Sequence, residues 1–154
     1  MAKYKSIFIS DIHIGISNWQ SDLINQFLKD NSCESLFLVG DIIDMWKLQR
    51  KWYWPQESNK LIRRFIKMAK ESNVYYLPGN HDEMFRQFCG LNFGNIQIVD
   101  EIIYKSNGKR ILVLHGDQFD SIIKSHIRLS HLGARGYELL FKINNCLVSF
   151  RRLL

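Results

Sequence analysis

The stretch LFLVGDIIDMW, from Leu36 to Trp46, joins an apolar run to a glycine and an acid. Leu36 to Val39 has the length and composition of a buried strand, and Gly40 allows the backbone to turn sharply behind it. Asp41 therefore stands at the carboxyl end of that strand. Because a carboxylate is costly to bury alone, Asp41 requires a partner of opposite charge.

Three more apolar runs deliver side chains of the same chemical kind at the same kind of strand end. They are Ile7 to Ile9 before Asp11 and His13, Val74 to Leu77 before Asn80, His81 and Asp82, and Ile111 to Leu114 before His115. Carboxylate, amide and imidazole groups suit divalent ions of the manganese, iron or zinc type, and the lack of thiolate ligands argues against a structural zinc site. The repeated arrangement predicts a metal site.

The order of apolar runs predicts one mixed α/β domain over residues 1–154, with a largely parallel sheet and helices packed on it. The predicted strands are Lys5–Ser10, Leu36–Val39, Val74–Leu77, Ile96–Val99, Glu101–Lys105 and Arg110–Leu114, and the predicted helices are Trp19–Asp30, Glu57–Glu71 and Met84–Phe88. Asn107-Gly108 predicts a tight hairpin turn between the last two strands. The aromatic and basic segment Trp46–Pro55 is predicted as a loop, and Phe119–Leu154 as helical.

Composition restricts the class of protein without choosing a partner. A chain of 154 residues suits one domain that buries roughly 68–70% of its unfolded surface. The 21 basic and 15 acidic residues give a formal charge of +6, which fits nucleotides, phospholipid head groups or nucleic acid. Three cysteines without metal-binding spacing indicate reduced thiols. No run approaches the ~18 apolar residues of a membrane span, so we predict a cytoplasmic protein.

The candidate ligands divide between two ions. Asp11 and His13 are two residues apart and can converge on a single ion from the loop behind a strand. Asp41 has two oxygens and can bridge two ions, while Asn80 and His115 supply an oxygen and a nitrogen to the second. Two ions ~3.5–4 Å apart clamp a phosphoryl oxygen and lower the pKa of bound water, which predicts phosphoester chemistry.

Residues next to the ligands are candidates for proton transfer. His81 is the predicted catalytic residue that donates a proton or a hydrogen bond to the phosphate or the leaving group. Asp82 is the second residue assigned to catalysis. Either Asp82 or Asp44 can orient a ligand or His81 from behind the ions.

Four motifs in chain order, DIH, GDIID, GNHDE and HGD, resemble those of the calcineurin-like metallophosphoesterase superfamily. GDIIDMW, KWYWP and HGDQFD further resemble its UDP-2,3-diacylglucosamine diphosphatase-like branch. The resemblance covers nearly the whole chain and implies a β-sandwich flanked by helices with two metal ions, manganese first and iron or zinc as alternatives. It assigns to the first ion Asp11, His13 and Asp41, and to the second Asp41, Asn80 and His115.

The same resemblance implies a reaction. In that branch, water assisted by two metals attacks the diphosphate of UDP-diacylglucosamine and releases UMP and a lipid monosaccharide phosphate on the route to lipid A. The aromatic segment is either core packing or a cap that faces the substrate. Candidates for substrate contact are Trp46, Arg50 and Asp117.

Two departures from the family pattern bear on activity. No GHxH motif follows His115, so the last two histidine ligands of the family, one per ion, are missing. We therefore expect a truncated chain with an incomplete second sheet, and a separately encoded segment carrying GHxH is a candidate partner. The diphosphatases proper often carry arginine where His81 stands, which leaves the substrate within the branch open.

Three alternatives remain at this stage. A nuclease or nucleotide phosphodiesterase would use the same ions, although the oily segments favour a lipidic substrate over nucleic acid. A truncated or split-gene product would bind metal or lipid without turnover. The basic and apolar segment Phe119–Leu154 either binds acyl chains or an anionic membrane surface, as a peripheral protein on the inner face of the inner membrane, or is a core helix that lacks its partner.

Overall fold

A computed structural model of the protein describes residues 2–17, 20–119, 133, 136, 137 and 141. The chain divides into two compact units, Met1–His115 and Gly116–Leu154, so the single domain remains a prediction. In the second unit, Asp117–Phe119 forms a 3-10 turn and the four separate positions described after it are helical. The rest of the predicted C-terminal helical segment, on which the membrane prediction depends, lies outside the described residues.

The first unit contains seven strands, three α-helices and one 3-10 turn among its described residues. In chain order they are β1 (Ala2–Ile9), α1 (Ser21–Asp30), β2 (Asn31–Val39), α2 (Met45–Arg50), α3 (Gln56–Met68), β3 (Asn73–Leu77), a 3-10 turn (Glu83–Phe88), β4 (Asn92–Phe93), β5 (Ile96–Ile98), β6 (Ile102–Ser106) and β7 (Lys109–Val113). Every helix in the described part of the chain is too short or too polar to cross a bilayer.

The main sheet has the strand order β1-β2-β3-β5-β4. Its first three pairings are parallel, and only the short edge strand β4 is antiparallel to its neighbour. Strands β6 and β7 form a separate antiparallel pair. The mixed α/β class with a largely parallel sheet is therefore confirmed. Parallel pairing matters for the site because the carboxyl ends of β1, β2 and β3 meet at one edge.

Strand β2 lies at the centre of two hydrophobic clusters. On one face, Leu36 and Leu38 join Leu61 and Phe65 of α3 in the larger cluster. On the other face, Phe37 joins Val113 of β7 and packs against residues of β3 and β6. Burial on both faces explains why this strand is a continuous apolar run instead of an alternating one.

The β6–β7 hairpin turns at Asn107 and Gly108, as predicted. Both residues have positive φ values, 50° and 74°, which a two-residue turn between twisted strands requires. The pairing runs from Ser106 opposite Lys109 to Ile102 opposite Val113. The predicted strand bounds differ from those observed by at most five residues, and the largest difference is at the amino-terminal end of β2.

Part of the predicted aromatic loop is helical, which corrects the sequence interpretation. Met45–Arg50 forms α2 because the Asp44 side chain accepts a hydrogen bond from the Lys47 backbone N–H at 2.9 Å and caps the helix. Leu48 is buried on its inner side. The two-residue strand β4 was also not predicted, since it is too short for an alternating pattern to register.

Candidate metal centre

The loops after β1, β2 and β3 come together at the carboxyl edge of the sheet. Backbone hydrogen bonds tie the first two: the Asp11 N–H donates to the Gly40 carbonyl at 3.1 Å and the His13 N–H donates to the Asp41 carbonyl at 2.9 Å. Asp11, His13 and Asp41 all have positive φ values, between 52° and 55°. Such values are uncommon outside glycine and cluster at functional sites, where surrounding contacts hold them.

Asp41 is the central candidate metal ligand. Its carboxylate is buried, with the residue 5% exposed. Oδ2 lies 3.8 Å from His13 Nε2, whereas Oδ1 lies 3.9 Å from His115 Nε2 and accepts the His81 backbone N–H at 2.9 Å. Burial raises the pKa of Asp41, and the His81 N–H and the neighbouring imidazoles oppose that rise. The two oxygens thus face different imidazoles, which is the arrangement a bridging ligand needs.

The remaining predicted ligands fall on the two sides of Asp41. Asn80 Oδ1 lies 3.3 Å from His115 Nε2, so both belong to the Oδ1 side. On the other side, ligand atoms of His13, Asp41 and His81 lie within 4.8 Å of one another. Asp11 is exposed and does not belong to that group of three. Its charge still helps to raise the pKa of His13, and Asp11 stays a predicted ligand.

Asp44 lies between the two histidines of the Oδ2 side. Its Oδ2 is 3.3 Å from His13 Nδ1 and its Oδ1 is 3.3 Å from His81 Nδ1. Neither buried nitrogen completes a hydrogen bond of good geometry, so these are close contacts between imidazole and carboxylate groups. Burial alone would raise the pKa of Asp44, but these two contacts hold it well below its usual range. A carboxylate in this position orients imidazoles that bind metal.

Asp82 is fully buried, and its carboxylate accepts hydrogen bonds from backbone N–H groups of Asp41, Ile42, Ile43 and Gly79. This geometry is at odds with a catalytic residue in contact with substrate. It favours the other predicted role, which is to hold groups of the site in position.

The predicted substrate contacts have different surroundings. The Trp46 ring packs against His81, with ring centroids 4.2 Å apart and planes tilted by 30°, so Trp46 lies at the site. Arg50 is an exposed residue at the end of α2. Asp117 belongs to the second unit, and its substrate role stays a prediction.

The aromatic segment divides between the two roles considered from the sequence. Trp54 packs against the main hydrophobic cluster, and its Nε1–H donates to Asn59 Oδ1 at 2.9 Å. Trp52 stacks on Trp54 with ring centroids 5.8 Å apart, yet it is 72% exposed. Trp54 is therefore a packing residue, whereas Trp52 presents an apolar surface to solvent.

Two glycines allow the candidate metal ligands to approach one another. A Cβ on Gly40 would lie 1.8 Å from His115 Nδ1, and a Cβ on Gly79 would lie 2.4 Å from Asp41 Oδ1. Their position beside Asp41 and Asn80 in the sequence is the signal for this close packing. Carboxylate, amide and imidazole donors that converge around one buried aspartate fit a pair of divalent ions.

We expect the unfolding temperature of the metal-free protein to depend on pH through the protonation of His13. Burial alone would lower the pKa of His13, but Asp44 and the charges of Asp41 and Asp11 raise it above its ordinary value of 6.5. The folded state therefore binds this proton more tightly than the unfolded chain. The resulting stabilisation is present below pH 6.5 and is lost as the pH rises through the raised pKa.

Thermal unfolding with chelator present, at about pH 5.5 and about pH 8.5, measures this difference. The Asp44→Asn variant is the comparison, because it removes the contact that raises the pKa of His13. We expect a smaller difference between the two pH values in that variant. An equal difference in both proteins would contradict the assignment.

The parallel sheet and the candidate metal ligands near its carboxyl edge place the protein in the class of α/β proteins with a candidate divalent-metal centre. The chain belongs to the calcineurin-like phosphoesterase family, whose model matches residues 4–148. This match confirms the family to which the motifs pointed.

Individual proteins resemble the chain more distantly. It is 27% identical to the UDP-2,3-diacylglucosamine hydrolase of Photorhabdus laumondii over 73% of this chain and 48% of that protein. It is also 27% identical to the hydrolase of the same name from Stutzerimonas stutzeri, over 96% of this chain and 62% of that one. The solved structure of Pseudomonas putida nuclease MPE has 22% identity and a TM-score of 0.43, over 67% of this chain and 50% of that one.

Proposed function

We propose that the protein hydrolyses a phosphoester or diphosphate bond with the help of two divalent ions. The observation that carries this proposal is Asp41, whose two carboxylate oxygens face separate imidazole groups. His13 and Asp41, with Asp11, would hold one ion; Asp41, Asn80 and His115 would hold the other. Two such ions polarise a phosphoryl oxygen and neutralise the charge that develops during displacement.

The other residues of the site act on protons and on orientation. His81 lies beside both Asp41 and Trp46, where its side chain can donate a proton to the departing oxygen. Asp44 orients the His81 and His13 rings through their Nδ1 atoms. The Trp46 ring packs against the His81 ring.

For the substrate, we propose a nucleotide diphosphate linked to a lipid, of the UDP-2,3-diacylglucosamine type. The names of the two curated relatives support this choice. The formal charge of +6 suits an anionic substrate, and the exposed Trp52 offers an apolar contact. We propose manganese as the resident ion, and the cytoplasmic side of a membrane as the place where such a substrate is met.

Hydrolysis assays on the purified chain test this function. The chain is loaded with Mn²⁺ and given UDP-2,3-diacylglucosamine, bis-p-nitrophenyl phosphate or single-stranded DNA. The readouts are UMP by chromatography, p-nitrophenolate by absorbance and DNA fragments by gel electrophoresis, respectively. We expect UMP from the lipid nucleotide, no activity after chelation and recovery when Mn²⁺ is returned. Cleavage of DNA alone would favour a nuclease, and metal uptake without any turnover would favour an inactive chain that requires a further segment.

A further inference from the structure

The most completely hydrogen-bonded carboxylate described in the chain belongs to Asp82, which is 0% exposed. Its donors are the backbone N–H groups of Ile42 at 2.9 Å, Gly79 at 2.6 Å, Asp41 at 3.3 Å and Ile43 at 3.3 Å, and the Tyr76 hydroxyl. Among these donor residues only Asp41 has a side chain that is a candidate metal ligand, and Asp82 contacts its backbone N–H. Asp82 therefore contacts the backbone of the site and not its open face.

Three of these donors are consecutive in the chain. The N–H groups of residues 41–43 point at one anion, which is the geometry of an anion-binding concavity in a turn. Asp41 within it has a φ of 54°, and a non-glycine residue keeps such a value only where surrounding contacts determine it. Without the Asp82 carboxylate, buried N–H groups would lose their acceptor, which is strongly unfavourable.

The carbonyl groups of the same segment accept hydrogen bonds from the loop after β1. The His13 N–H donates to the Asp41 carbonyl and the Ile14 N–H donates to the Ile42 carbonyl, both at 2.9 Å. The segment 41–43 thus has Asp82 on its N–H side and the His13 loop on its carbonyl side. A displacement of this one segment would move the Asp41 carboxylate and the His13 ring together.

We propose that Asp82 is the positioning residue of the metal centre, and that its negative charge, supported by the Tyr76 hydroxyl, fixes the segment 41–43 and through it the side chains of Asp41 and His13. Asp82 touches neither metal nor substrate in this role. The proposal rests on the proposed two-ion function and adds the means by which the two ligand loops are aligned.

The charge of Asp82 is needed as well as its shape. Asparagine has nearly the same size, but its NH₂ group is a donor and would meet N–H groups that are donors themselves. Hydrogen bonds to a carboxylate are also about twice as strong as those between neutral groups. We therefore expect Asp82→Asn to weaken Mn²⁺ binding about 10–100-fold, which is the usual effect of removing an outer partner of metal ligands.

Titration with Mn²⁺, followed by the electron paramagnetic resonance signal of the free ion, tests this without any turnover. The proteins are wild type, Asp82→Asn, Tyr76→Phe and Leu61→Ala, measured at a temperature at which all are folded. Tyr76→Phe removes one donor to Asp82 and should weaken binding less than Asp82→Asn. Leu61 is buried in the larger hydrophobic cluster, between α3 and the sheet. Leu61→Ala should therefore lower the unfolding temperature and leave Mn²⁺ affinity unchanged.

The first three results below test the role of Asp82, and the last one tests the proposed two-ion function. Wild-type Mn²⁺ affinity in Asp82→Asn would overturn this inference alone. If Asp82→Asn does not fold, wild-type affinity in Tyr76→Phe would overturn it instead. An equal loss of affinity in Leu61→Ala would do the same, since it would mean that general destabilisation is the cause. A wild-type chain that binds no Mn²⁺ would overturn the proposed two-ion function as well.

Discussion

Replacing Asp41 by asparagine is expected to lower kcat/KM by roughly 10³-fold, since losing ~4 kcal/mol of charge stabilisation in the transition state has this effect. Asp41 is the only described residue whose two oxygens face imidazoles on both sides of the site. Asparagine keeps one oxygen for the His81 backbone N–H and loses the other. We therefore also expect at most one Mn²⁺ per chain instead of two.

The fold of the Asp41→Asn variant should remain intact. Burial raises the pKa of Asp41 in the folded protein, so at neutral pH the ionised carboxylate disfavours the folded metal-free state. The unfolding temperature without metal should therefore stay the same or rise. Asp22→Asn is the matched control, because it makes the same chemical change at an exposed position of α1. Two bound ions with nearly normal turnover in Asp41→Asn would contradict the bridging role.

The sequence was sufficient to predict the parts of the fold that depend on local pattern. The apolar run of β2 and the Asn107-Gly108 turn carry their structure in a few adjacent residues. Metal-ligand residue types after successive strands predicted a cluster because parallel strands share one carboxyl edge. The structure brings His13, Asp41 and Asn80 together there, and His115, which follows β7 of the antiparallel pair, joins them.

Contacts between loops could not be predicted in the same way. The sequence predicts that Asp44 or Asp82 orients a ligand or His81, but the position of Asp44 between two imidazoles depends on how the α2 helix begins. Asp82 adjoins His81 in the sequence, yet its carboxylate points away from the open site and into the turn after β2. The direction of a side chain in an irregular loop is set by tertiary hydrogen bonds, which no residue spacing encodes.

Replacing His81 by glutamine should lower kcat about 10²–10⁴-fold, the usual contribution of a positioned proton donor. The backbone N–H of residue 81 would still donate to Asp41 Oδ1, so the ligand loop keeps its anchor. The loss should be larger on a phenyl phosphodiester than on the p-nitrophenyl one, because p-nitrophenolate departs without a proton. Parallel kinetics on the two esters measure this difference, and equal losses would count against proton donation.

The geometry allows two roles for the His81 side chain, and the number of Mn²⁺ ions bound by the His81→Gln variant distinguishes them. Its ligand atom lies within 4.8 Å of those of His13 and Asp41, which suits a third ligand of one ion. Its Nδ1 also faces Asp44 and its ring lies against Trp46, which suits an oriented proton donor. A His81→Gln variant with two Mn²⁺ per chain and slow turnover supports proton donation. If one ion is lost, His81 is a ligand, and the departing oxygen must take its proton from another group.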